Sequence, residues 1–176
     1  MPLTTERLVL RPWRSTDAAA VEEIFGFPEV LGNLGDPAHP STAPDLDRAQ
    51  RTVAAWFEIG EPEGRGFWAV TERDSDRVIG GILLLTLDPL DGTPGEDVEV
   101  GWWFHPEVWG RGYATEAGRA ALDHAWASGL PRVYAVTHPG NQQSMSVCRK
   151  LGMTHEGLRK TPWFEGPMEQ FVVVAP

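Results

Sequence analysis

The stretch from Asp97 to Thr137 constrains the fold more than any other part of the chain. DVEVGWWFHP reads as a strand closed by His105-Pro106. Its period-2 alternation puts Glu99, Gly101 and Trp103 on one face and Val98, Val100, Trp102 and Phe104 on the other. Gly110 and Gly112 then crowd a turn. Glycine costs backbone entropy, so two of them this close mark a tight turn or a close approach. A helix over 113–128 follows at once and is stopped by Gly129 and Pro131, and RVYAVT (132–137) reads as a short buried strand. Such a succession of strand, turn, helix and strand calls for helices layered on a sheet.

The remaining segments fit that plan. RLVLRPW (7–13) alternates apolar and charged residues as a strand, and Ser15 or Asp17 is placed to cap a helix running to about Phe25. Residues 26–44 are rich in glycine and proline and read as a long loop. A helix over 44–59 would carry Leu46, Ala49, Val53, Trp56 and Phe57 on one face. Residues 66–88 form a hairpin around DSDR, a helix capped by Asn141 runs to Gly152, and strands near 153–160 and 168–174 end the sequence. No repeat or linker divides the chain, so a single α+β (α/β) domain over residues 1–176 is expected.

Composition narrows the function classes. No apolar run approaches the roughly 18–20 residues that span a bilayer, and the start lacks the apolar core of a signal peptide. Cys148 is the lone cysteine, which excludes an intrachain disulfide and any multi-cysteine zinc site. The histidines show no metal-ligand spacing, so no metal is expected, and a cytoplasmic location is the default. A formal charge of −10 argues against non-specific binding to nucleic acid or to an anionic membrane. Residues 1–96 hold 8 basic against 17 acidic side chains, and residues 97–176 hold 7 against 8. A cationic partner would therefore favour the first half, and an anionic one the second.

The turn WGRGYATEA suits an anion. The first amides of a helix have no internal partner and carry the positive end of its dipole, and Arg111 adds a full charge. A Walker loop would need Lys-Ser/Thr where Tyr113 and Ala114 stand, and G-x-G-x-x-G fails after Gly112. Taken alone, the turn fits a simple tight turn equally well.

A second segment, NQQSMSVCRKLGM, lies about thirty residues on. Together the two resemble the GNAT (general N-acetyltransferase) superfamily, whose pyrophosphate loop Q/R-x-x-G-x-G/A is matched by Trp109, Gly110, Arg111, Gly112, Tyr113 and Ala114. TTERLVLRPW, VEVGWWFHPEVWGRGYATEA and HEGLRK look like its Rim-type branch, whose members acetylate the N-termini of ribosomal proteins. The resemblance spans nearly the whole chain. Two positions depart from the pattern: Trp109 stands where Gln or Arg is usual, and Cys148 stands where many members carry a tyrosine that protonates the leaving thiolate.

The resemblance implies one mixed, mostly antiparallel sheet of about seven strands flanked by about four helices, with splayed central strands forming a cofactor cleft. It implies direct acetyl transfer from acetyl-coenzyme A to a primary amine, either a protein N-terminus or a small cationic molecule, by a monomer or homodimer. A catalytically silent sensor that binds acetyl-coenzyme A is the alternative. Glu99 is the expected base, acting through water. Amides of a bulged strand at Trp102, Trp103 and Phe104 would hold the acyl oxygen. Ser144 is the expected partner of the sulfur, with Cys148 a competing donor. The donor would rest on residues 109–115, ending at Thr115, on Asn141, and on Arg149, with Arg119 a further candidate. Trp163 and Phe164 would line the acceptor pocket, covered by the loop 28–43.

Overall fold

A computed structural model describes residues 2–34, 43–58 and 64–176. Its elements are β1 (Leu3–Thr4), β2 (Leu8–Pro12), α1 (Ala18–Phe25), α2 (Pro28–Leu31), α3 (Leu46–Glu58), β3 (Gly66–Glu72), β4 (Val78–Thr86), β5 (Val98–Phe104), α4 (Tyr113–Ala127), β6 (Arg132–Thr137), α5 (Gln142–Lys150), β7 (Thr154–Lys160) and β8 (Pro167–Val174). Short 3-10 turns at Ser15–Asp17 and Pro106–Val108 precede α1 and α4. None of the described helices is long and apolar enough to cross a membrane.

The eight strands form one mixed sheet in the order β1-β2-β3-β4-β5-β6-β8-β7, flanked by the five helices. Every neighbouring pair is antiparallel except β5 and β6. The β-branched and aromatic strand residues divide between two cores by the two-residue period. On one face Leu10, Trp68, Val100 and Phe104 pack with Ala121 of α4 and Met145 of α5. On the other Trp13, Phe67 and Trp103 pack with Val21 and Ile24 of α1 and Val53 of α3.

Strands β5 and β6 share a single register pair, Glu99 with Tyr134. Beyond it β5 continues to Phe104 and β6 to Thr137 without further pairing among the described residues, and the sheet opens. A bulge in β5 was expected to make this gap. Instead the β4–β5 register is unbroken from Gly80 opposite Phe104 to Thr86 opposite Val98, so divergence from β6 alone opens the sheet. The pleat therefore stays in phase, and the faces read from the alternation hold: Trp102 and Phe104 lie toward α4 and α5, Trp103 toward α1 and α3.

Two elements exceed the expected count. Strand β1 has two residues, too few for a periodic pattern. Helix α2 lies in the segment read as loop, with Pro28 at its first turn and Gly32 at its C-cap. Two other local expectations fail. Asp17 does not cap α1; its buried carboxylate takes two hydrogen bonds from Arg11, at 2.8 and 2.9 Å, and one from the Arg14 amide at 2.7 Å. On α3, Ala49 and Val53 are buried and Trp56 packs on Phe67 of β3, but Leu46 and Phe57 are 43% and 52% exposed.

Candidate active site

A cavity of about 430 Å³ opens at the end of β5, enclosed by the glycine turn, the start of α4, one face of α5, and α2. The turn is built from local geometry. Trp109 Nε1 donates to the Phe104 carbonyl at 2.8 Å, which folds the chain back against its own strand. Gly110 and Gly112 have φ of 77° and 82°, the left-handed region that favours glycine. Gly112 is the N-cap of α4, and no side chain caps the helix start. The first amides of α4 therefore lack intrahelical acceptors at the cavity wall. A Cβ at Gly110 would meet nothing within 4 Å, so the approach to these amides is open.

Of the residues singled out in the sequence, Trp102, Trp103, Phe104, Trp109, Gly110, Gly112, Tyr113, Ala114, Thr115, Asn141 and Ser144 line this cavity. Tyr113 donates its hydroxyl to Glu72 Oε1 at 2.7 Å, and that bond raises its pKa. Asn141 Oδ1 accepts the Ser144 amide at 3.1 Å, capping α5 and setting Ser144 at the wall.

Others lie outside it. Arg111 is exposed, with its carbonyl accepting from Arg7. Cys148 is buried among the core side chains between α5 and the sheet, and desolvation pushes its pKa from 9.0 to about 12. Neither side chain is part of the cavity wall. Arg149 is exposed on the side of α5 turned from the cavity, while Lys150 lines it. Arg119 donates to the Lys150 carbonyl at 3.0 Å, closing the end of α5.

Glu99 is half-buried at the start of β5, in register between Leu85 and Tyr134, on the sheet face opposite α4 and α5. It is not part of the cavity wall. The Trp163 ring centroid is 5.3 Å from that of Tyr134, so Glu99, Tyr134 and Trp163 share this second face. Phe164 is half-buried beside Trp163 in the chain and off the cavity. The segment 28–43 was expected over this acceptor side. Its described part instead sends Glu29, Val30, Asn33 and Leu34 into the cavity wall, and residues 35–42 lie outside the described residues.

Sequence reasoning missed α2 and the stripe Gln143, Val147 and Lys150 on α5. The stripe was legible, since i, i+4 and i+7 share one face of a helix. The described residues include no group of His, Cys, Asp and Glu arranged to hold a metal ion.

Comparison with known proteins agrees with this geometry. Residues 7–154 match the acetyltransferase (GNAT) domain family. The chain is 29% identical over 162 residues to the uncharacterized N-acetyltransferase YnaD of Bacillus subtilis (strain 168), covering 91% of this chain and 86% of that protein. A crystal structure of an acetyltransferase from Agrobacterium tumefaciens str. C58 superposes with a TM-score of 0.72 at 26% identity, over 98% of this chain and 94% of that one. RimL, a ribosomal L7/L12 alpha-N-protein acetyltransferase solved with coenzyme A, shares the fold at a TM-score of 0.79 and 14% identity, over 99% and 98% of the two chains. Both the glycine turn and α5 fall inside the matched span, and the chain belongs to the GNAT acetyltransferase family.

Proposed function

We propose that this chain is an acetyl-coenzyme A-dependent N-acetyltransferase. In this reading the thioester arrives from the glycine-turn side of the sheet, the amine from the Glu99 side, and they meet in the gap between β5 and β6. The observation that carries it is that gap. It begins immediately past Glu99 and Tyr134, between β5, whose far end lines the cavity, and β6, which carries Tyr134 against the Trp163 ring.

The residues present fit the donor. A cavity of about 430 Å³ is within the usual range for small-molecule sites, about 300–1,000 Å³. Open glycines and uncapped amides suit a pyrophosphate. Asn141 uses its oxygen as a cap, which leaves its amide NH2 to donate to a pantetheine carbonyl. Backbone direction selects the oxyanion donors. His105 N–H donates to Ile79 of β4 at 2.9 Å. Along an antiparallel strand alternate residues bond to the same neighbour, so the Trp103 and Gly101 amides also serve β4. Those of Trp102 and Phe104 face the gap, where developing negative charge on the thioester oxygen would be held.

Transfer needs no acyl-enzyme. Glu99, through a water, takes a proton from the incoming ammonium; the amine nitrogen bonds to the acetyl carbon; the C–S bond breaks; and the second proton lost by that nitrogen passes, by way of a water that Ser144 orients, to the leaving thiolate. The acceptor is a primary amine, either a protein N-terminus or a small cationic molecule. Support comes from the acidic first half of the chain and from the aromatic pair beside Glu99, since aromatic faces attract cations.

The test is thiol release from acetyl-coenzyme A across a panel of N-terminal peptides and small amines. At least one amine should accelerate release with matching acetyl-amine product. Tight binding of acetyl-coenzyme A with no acceleration by any amine would replace this reading with a sensor of the same fold.

A further inference from the structure

The opening segment TTERL takes no part in the chemistry above, yet it closes on the helix that starts the cradle. The Thr5 hydroxyl donates to Glu116 Oε1 at 2.6 Å, and the Arg7 amide donates to the same oxygen at 2.9 Å. Arg7 Nε donates to Glu116 Oε2 at 2.6 Å, while Nη1 donates to the Arg111 carbonyl at 3.0 Å. The guanidinium carbon lies 4.6 Å from the centroid of the Tyr113 ring. Glu116 is itself fixed to the turn, since its amide donates to the Gly112 carbonyl at 3.0 Å.

One side chain thus holds the backbone on both sides of left-handed Gly112: Arg111 before it, and the first turn of α4 after it. Burial alone would raise the Glu116 pKa, but the bonds from Thr5 and Arg7 outweigh it and hold the carboxyl below its ordinary value. Arg7 does not line the cavity, and three of its donor directions are spent on Glu116 and Arg111. It is therefore placed to act on the backbone and not on a phosphate.

We propose that Arg7, locked by Glu116 and Thr5, is a positioning residue that aims the amides of the glycine turn at the pyrophosphate of the donor. The assignment rests on the acetyl-coenzyme A reading above. It explains why a segment more than a hundred residues away in sequence is tied to the turn.

The test compares dissociation constants for coenzyme A and for pantetheine, which has the thiol arm without the pyrophosphate and nucleotide. Wild type, Arg7→Gln, Arg7→Lys and Glu116→Gln are titrated by calorimetry, with melting temperatures measured alongside. Loss of a charge-assisted bond corresponds to about tenfold or more in affinity. All three variants should lose that much for coenzyme A while pantetheine binding stays within about twofold of wild type. Arg7→Lys is the mildest change, because it keeps the charge and stem but has one head for acceptors at two places.

Glu116→Gln separates positioning from simple charge. Removing an anion near a pyrophosphate would tighten coenzyme A if Arg7 served only as a positive charge, and that result overturns the assignment. Equal weakening of both ligands also overturns it, because it marks general damage to the site. A wild-type preference for coenzyme A that survives all three substitutions overturns this assignment alone. A wild type that binds the two ligands alike overturns the acetyl-coenzyme A reading together with it.

Discussion

Cys148 lies one helical turn beyond Ser144 on α5, and the two residues make separable forecasts. Its thiol is buried, and desolvation lifts its pKa to about 12. A leaving thiolate has an ordinary pKa of about 8.5, so a proton from Cys148 would travel uphill by three to four units, about 5 kcal/mol. Cys148→Ala should therefore leave turnover within about twofold of wild type. The same burial predicts a signature in stability. The folded state favours the neutral thiol, so its contribution is complete below the unfolded pKa of 9.0 and is lost as pH rises from there toward 12. By pH 10 wild type has lost about 1.4 kcal/mol that the alanine variant never had. Urea unfolding of both proteins at pH 7.5 and pH 10 measures it. Wild type should be the more stable at pH 7.5, by about 1 kcal/mol for a small core truncation, and that margin should close at pH 10. A margin that stays constant would refute the reasoning, as would rapid reaction of the native thiol with a disulfide reagent at pH 7.5.

Three further substitutions test the packing and the site. Trp103 is buried against Trp13, Phe25 and Trp56, with ring centroids 5.5, 4.8 and 5.9 Å away. Trp103→Ala should cost about 3–5 kcal/mol in urea unfolding, and a loss under 1 kcal/mol would contradict the central place given to this cluster. A Cβ at Gly80 would fall 2.4 Å from the Trp103 carbonyl oxygen and 2.6 Å from Phe104 Cδ1. Gly80→Ala should therefore lower stability by about 1–3 kcal/mol and weaken coenzyme A binding, because the end of β5 must shift; an unchanged melting temperature would refute that. Ser144→Ala should lower kcat roughly five- to tenfold, the worth of one hydrogen bond, with the coenzyme A dissociation constant little changed. An unaltered kcat would remove Ser144 from the protonation step.

The legible parts of the fold were those set by short-range periodicity. Alternation in β5 assigned both faces correctly, because the β4–β5 register contains no shift to break the two-residue period. The glycine turn was legible because positive φ leaves a mark in residue type at Gly110 and Gly112. Helix α2 was hidden in a stretch whose glycines and prolines read as loop, although Pro28 and Gly32 are also start and stop signals. Cys148 and Arg149, expected as donor contacts, lie off the cavity wall, because the resemblance supplied a spacing along α5 but not its rotation against the sheet. That rotation buries Met145 and Cys148 and turns Val147 and Lys150 to the cavity. The tie between Arg7 and Glu116 had no local signature, since contacts across such a separation are set by the assembled sheet and not by any periodic pattern.

The central claim is that Glu99 on one face serves chemistry delivered from the other through the β5–β6 gap. Glu99→Gln tests it directly, with turnover and the acetyl-coenzyme A dissociation constant measured on the same preparation. Loss of general-base assistance should lower kcat by about a hundredfold or more, with the dissociation constant unchanged, because Glu99 lies outside the cavity wall. Full turnover in Glu99→Gln, or loss of donor binding in step with turnover, would contradict it.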